Sequence, residues 1–114
     1  MAFNDTVILI NKHGMGEADN ALQIKLISTY LRLINENGDL PAVICFYTEG
    51  IHLVLKKSPV LDTLEELERK GVRLVICGTC LDFYGQRENV AVSIIGGMTD
   101  IIEAQSRAAK VITL

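Results

Sequence analysis

Apolar residues in this chain fall into two alternating kinds of pattern. Five short runs are nearly continuous and rich in β-branched residues: Thr6–Ile10, Ala42–Tyr47, Val72–Cys77, Val90–Ile95 and Lys110–Leu114. Such runs predict strands of a parallel sheet, because a strand buried on both faces needs no polar side. Between them, apolar residues recur at spacings of three and four. Leu22, Leu26, Ile27, Tyr30, Leu33 and Ile34 make one stripe, predicting a long helix from Asp19 to Glu36 that Asn37-Gly38 stops. Val60, Leu61, Leu64 and Leu67 predict a second helix from Pro59 to Lys70, with Ser58 as N-cap and Gly71 past its end. Met98, Ile101, Ile102, Gln105 and Ala108 mark another from Gly97 to Ala109, and a short helix fits between Cys77 and Gly85. Strict alternation of strand and helix predicts an α/β fold: a parallel sheet with helices on both faces.

Composition places that pattern in one unit. A chain of 114 residues supports one hydrophobic core, so residues 1–114 are read as a single domain. A hydrophobic share of 49% and a mean hydropathy of +0.30 exclude a disordered chain. They also leave more apolar surface than one small sheet face hides, which a doubly covered sheet or a subunit interface would use. No run approaches the roughly 20 apolar residues of a spanning helix. The start, Met1–Asp5, has no basic segment leading into an apolar one, so no signal peptide is expected.

Charge narrows the partners. Lys and Arg total 11 against 14 Asp and Glu, a net charge of −3. The basic residues are scattered, and the densest cluster, Glu65–Lys70, is mixed in sign. This argues against nucleic acid and against a membrane surface as partners. An odd count of three cysteines suits a reducing compartment, so a cytoplasmic protein is expected.

Ligands of open α/β sheets bind beyond the carboxyl ends of the strands. The first strand leads into Asn11–Glu17, with His13, Gly14 and Gly16, and the second into Thr48–His52, with Gly50 and His52. The third leads into Cys77–Gly85, with Cys77, Thr79 and Cys80, and the fourth into Gly96-Gly97. Both histidines and two of the three cysteines fall on this edge. Cys45 sits mid-strand, where a free cysteine behaves as a small hydrophobe. Thr79 and Asp82 have the spacing of a capping box, which would put Thr79 at the N-cap and Cys80 in the first turn. A helix N-terminus stabilises the Cys80 thiolate and a nearby Asp82 carboxylate opposes it. Gly14-Met15-Gly16 lacks the rest of any phosphate-loop pattern and reads first as a tight turn into the first helix.

Four readings of Cys77-x-x-Cys80 stand at this point. One is a pair of partly buried thiols. A structural zinc site would need His13 and His52 to complete four ligands, from separate loops without regular spacing. A thioredoxin-type exchanger would use CxxC at such a turn, but neither Pro41 nor Pro59 is placed to face it. The fourth is persulfide transfer, in which a thiolate takes the outer sulfur of a donor persulfide and hands it on.

The block Val75-Ile76-Cys77-Gly78-Thr79-Cys80-Leu81-Asp82-Phe83-Tyr84-Gly85 resembles the DsrE/DsrF-like family. More narrowly it is similar to the C-terminal domain of YedF-type proteins, which are sulfurtransferase-like and linked to selenium metabolism. Supporting segments are Gly14-Met15-Gly16 with Asp19, the Phe46–Gly50 turn, Ser58–Leu61, Leu64–Leu67 with Gly71-Val72, Met98–Ala104 and Lys110–Thr113. The resemblance implies a three-layer α/β/α sandwich on a five-stranded parallel sheet, flavodoxin-like in general style. It implies a persulfide on the cysteine that ends the third strand, before a helix closed by Gly. Counting back from Gly85 places that role on Cys77, with Cys80 as resolving or assisting thiol. It implies sulfur donor and acceptor proteins as partners, and a homo-oligomer that absorbs surplus apolar surface. YedF-type chains carry a TusA-like domain with a Cys-Pro motif ahead of this one. No cysteine precedes Cys45 here, so a TusA-like partner is expected as a separate protein.

The expected function is therefore sulfurtransferase-like: a sulfur-relay protein carrying persulfide sulfur or selenium on the CxxC, with no cofactor and no metal. His13, Gly14, Gly16, Gly50, His52 and Thr79 are the expected substrate-binding positions. The alternative is a non-catalytic module of the same fold, holding a small anion or nucleotide near Gly14–Gly16 and Gly97.

Overall fold

A computed structural model describes residues 3–114. Met1 and Ala2, part of the start read for a signal peptide, lie outside them. Five strands form one sheet: β1 (Thr6–Ile10), β2 (Val43–Phe46), β3 (Arg73–Cys77), β4 (Ile94–Gly96) and β5 (Lys110–Thr113). All pairings are parallel, in the order β4-β3-β2-β1-β5. Four α-helices connect or cover them: α1 (Asn20–Asn37), α2 (Leu61–Arg69), α3 (Gly78–Tyr84) and α4 (Met98–Arg107). The chain steps from β1 to β4 in one direction, then returns across the whole sheet to place β5 beyond β1. Right-handed crossovers running in opposite directions put their helices on opposite faces. Thus α1 and α2 share one face and α4 takes the other. The expected three-layer α/β/α sandwich on five parallel strands is the observed fold.

The pleat divides the strand residues between two cores. Ile8, Ile10, Ile44, Phe46, Leu74 and Ile76 pack with Ile27 and Leu31 of α1 and Leu64 and Leu67 of α2. Val7, Leu9, Val43, Cys45, Val75 and Cys77 pack with Ile101 and Ala104 of α4. Cys45 is fully buried there, as its mid-strand position implied.

Several element boundaries differ from those the residue pattern predicts. The run Val90–Ile95 is not one strand. Val90 bridges Leu55, and the Ala91 N–H donates to the Val54 carbonyl at 2.9 Å. Ser93 then turns the chain with φ of 98°, its hydroxyl donating to the Leu74 carbonyl at 2.9 Å, and only Ile94–Gly96 joins the sheet. An apolar run looks continuous in sequence even when a kink divides it between two partners. The second helix starts at Leu61, not Pro59, because the Ser58 hydroxyl accepts from the Val60 N–H in a preceding turn. The fourth spans Met98–Arg107, opened by Gly97, whose N–H donates to the Asp100 carboxylate at 2.8 Å.

The α1 stripe is also narrower than its sequence suggests. Leu22, Leu26 and Leu33 are exposed, whereas Leu31, outside the expected stripe, is buried. Among the described residues, no helix is long and apolar enough to cross a membrane.

Candidate functional site

The carboxyl edge of the sheet brings the loops after β1, β2 and β3 together. Between β2 and α2 the chain forms a 3-10 helix, Thr48–Val54. Thr48 enters it with φ of 47°, and its hydroxyl donates toward the Asn11 carbonyl at 2.6 Å. Gly50 lies directly against the Ile10 carbonyl, where a Cβ would collide with backbone. These two contacts hold the 3-10 helix against the end of β1.

Cys77 ends β3 and is itself the N-cap of α3, without a side-chain cap bond. The expected capping box is therefore absent. Thr79 lies inside the helix and is exposed, and Asp82 faces Arg87 instead. The Arg87 guanidinium grips that carboxylate through two bonds of 2.8 and 3.1 Å and also donates to the Gly78 carbonyl at 3.3 Å. The pairing holds the Asp82 carboxyl below its usual range. Geometry favours the pair because α3 ends at Gly85, in the left-handed region, and the chain doubles back over its last turn.

Neither cysteine is in a disulfide, and the two lie close enough for Cys77 to influence the Cys80 thiol; Cys77 is 2% exposed and Cys80 is half-buried. Cys80 packs between the two cores, and its Sγ accepts the Thr48 backbone N–H at 3.1 Å. Burial raises the Cys80 pKa, the neighbouring Cys77 raises it further, and the Thr48 N–H pulls the other way; the net direction is up. The Asp82 carboxylate, expected to oppose a Cys80 thiolate, is paired with Arg87.

The histidines also meet. The His13 and His52 rings lie 5.2 Å apart, and His52 lies 5.2 Å from Tyr84, one turn beyond Cys80 on α3. Burial and the facing His52 lower the His13 pKa, partly offset by Glu49. Gly14 has φ of 137° and packs against the Gln23 backbone, so the fold itself uses its missing side chain. Gly16 is exposed with φ of 79°, its carbonyl accepting from Gln23 Nε2 at 2.8 Å. Among the described residues, no group of three or more His, Cys, Asp or Glu side chains converges to hold a metal ion.

Sequence reasoning passed over Thr48, Tyr84 and Arg87. Tyr84 and Arg87 gave no signal, because their roles depend on how α3 is placed against its neighbours. Thr48 lay in a loop already placed on this edge, but its contribution is a backbone N–H, which side-chain chemistry does not reveal.

A family model for the DsrE/DsrF-like family matches residues 5–114, and the chain belongs to that family. Three solved structures share its fold. The protein MTH1491 of unknown function from Methanobacterium thermoautotrophicum is 18% identical with a TM-score of 0.70, covering 96% of this chain and 97% of its own. The ychN protein from E. coli is 15% identical with a TM-score of 0.68, over 96% and 98%. BT1422, a conserved protein of unknown function from Bacteroides thetaiotaomicron, is 16% identical with a TM-score of 0.67, over 100% and 98%. No curated protein sequence matches the chain.

Proposed function

We propose that the protein is a sulfurtransferase-like sulfur carrier of the cytoplasm, holding a persulfide on the Cys77–Cys80 pair. The observation that carries this reading is two free, neighbouring thiols on the ligand edge, one half-buried and one sheltered. Family membership and the three free cysteines support it.

The difference in exposure orders the steps. The Cys80 thiolate attacks the outer sulfur of a donor persulfide; a new S–S bond forms, the donor's S–S bond breaks, and the donor leaves as a thiolate. The Thr48 N–H, already on Cys80 Sγ, stabilises the charged sulfur before attack. The Cys77 thiolate then takes the outer sulfur from Cys80, returning Cys80 as thiolate and sheltering the persulfide. Delivery to an acceptor thiolate reverses the order. Selenium in place of the transferred sulfur follows the same balance.

The partner is a sulfur donor or acceptor protein, a TusA-like one being expected. Phe83 supports its approach: it lies three residues beyond Cys80 on α3 and is 82% exposed. A second copy of the chain covers the β4 edge, where Ile94, Ile95, Met98 and Ile102 are all exposed beside an open strand. An edge pairing with itself across a two-fold axis would bury the same residues twice. Sedimentation should show an oligomer that Ile95→Glu with Ile102→Glu dissociates; a monomeric parent removes this part of the reading.

The test of the chemistry is mass spectrometry after incubation with a persulfide donor. One sulfur should be found on Cys77. Cys80→Ser should slow loading by about tenfold or more, and Cys77→Ser should leave Cys80 loaded only transiently. If Cys77→Ser with Cys80→Ser loads as well as the parent, the reading fails.

A further inference from the structure

We propose that the cleft beside the cysteine pair binds a small organic molecule bearing a phosphate- or sulfonate-type anion. The cleft encloses about 560 Å³ between the end of the 3-10 helix and the segment after α3, and its lining includes His13, His52, Lys56, Lys57, Ser58 and Asn89. That volume exceeds what an inorganic anion fills and falls in the range of small-molecule sites. Its proximity to the thiols follows from its walls. His52 belongs to the 3-10 helix whose first N–H is on Cys80, and its ring meets Tyr84 of α3.

Several observations point to an anion. The charged lining is cationic, Lys56 and Lys57, and no Asp or Glu lines the cleft. This local excess stands in a chain of net charge −3. Neither lysine has an ion-pair partner among the described residues. The Ser58 oxygen already accepts the Val60 N–H, which orients its own O–H for donation elsewhere. The walls are tied together: the Lys56 N–H donates to the Asn89 carbonyl at 2.9 Å, next to the Leu55–Val90 bridge. The site is thus formed before any ligand arrives, which lowers the ordering cost of binding. The His13 and His52 rings, tilted 50° to each other, offer ring surface for the organic part of the ligand.

The other large cleft contrasts with it. It opens at the amino end of the sheet, includes Asp39, and its lysine, Lys70, is already engaged with Asn35.

Anion binding here does not depend on sulfur chemistry, so one set of variants separates the two. The full chain is titrated with pyrophosphate, followed by calorimetry and by amide and histidine NMR signals. Saturable shifts are expected at His13, His52, Lys56, Ser58 and Asn89. Lys56→Gln with Lys57→Gln should weaken binding by about tenfold or more while sulfur loading is unchanged. Cys77→Ser with Cys80→Ser should bind pyrophosphate as the parent does. Shifts that do not saturate, shifts scattered over other surfaces, or a lysine variant that binds equally well would each overturn the proposal. So would loss of binding in the cysteine variant.

Discussion

The Thr48 backbone N–H donates to the Cys80 sulfur at 3.1 Å, linking the loop after β2 to the helix after β3. The contact places a hydrogen-bond donor on the more accessible thiol of the pair. It does not by itself make that thiol acidic, because burial and Cys77 outweigh it.

Alkylation kinetics should reflect that balance. The Cys80 thiolate fraction should rise with pH through a midpoint above that of an ordinary thiol, so its rate with iodoacetamide should still be climbing where a free cysteine has levelled off. Per-residue mass spectrometry between pH 7 and about 10 reads this directly. A rate that plateaus near neutral pH would mean that the Thr48 N–H dominates after all.

Cys45 should couple stability to alkaline pH. Burial pushes its thiol up to about 11 from an ordinary 9.0. A folded-state pKa raised above the unfolded one means stability is fully present below about 9 and is lost as pH climbs through about 11. The loss is on the order of 2–3 kcal/mol. Denaturant melts at rising pH should show Cys45→Ala losing less stability over this window than the parent. Parallel curves for the two proteins would contradict the assignment.

Asn35 clasps α1 to α2. Its Nδ2 donates to a Glu66 carboxylate oxygen at 2.9 Å, and Lys70 Nζ donates to its Oδ1 at 2.8 Å and its carbonyl at 3.1 Å. Asn35→Ala leaves Glu66 and Lys70 without this partner in a part-buried setting and should lower stability by about 1–2 kcal/mol. The same variant should load sulfur at the parental rate, since the clasp is remote from the cysteines. Urea melts and loading assays on one preparation measure both.

Two glycines should respond differently to alanine. At Gly50 a Cβ meets the Ile10 backbone, so the 3-10 helix must move off β1. Gly50→Ala should lower stability by about 2–4 kcal/mol and disturb Thr48 and hence Cys80. At Gly16 nothing lies within 4 Å and the penalty is only that of φ near 79°. Gly16→Ala should cost about 1 kcal/mol. Equal effects in thermal melts would show that close approach at Gly50 is not what matters.

Much of the fold and part of the candidate site were legible in the residue pattern. Near-continuous Val and Ile runs separated by stripes at helical spacing specify a parallel sheet covered on both faces, because both are local consequences of burial. Cys77 at a strand end, and His13 and His52 in loops on one edge, came from that same alternation. What pattern alone does not decide is how elements meet. Val90–Ile95 is one apolar run whose division at Ser93 depends on where Leu55 and β3 lie. Thr79 and Asp82 have capping-box spacing, yet Arg87 arrives from beyond Gly85 and takes Asp82. The return crossover that puts α4 alone on its face leaves Ile94, Ile95, Met98 and Ile102 exposed. The joining of Cys80 to Thr48, and of His13 to His52 above a cationic cleft, rests on contacts between segments distant in sequence. Periodicity records which side of an element is apolar, whereas such contacts depend on the packing of all the elements at once.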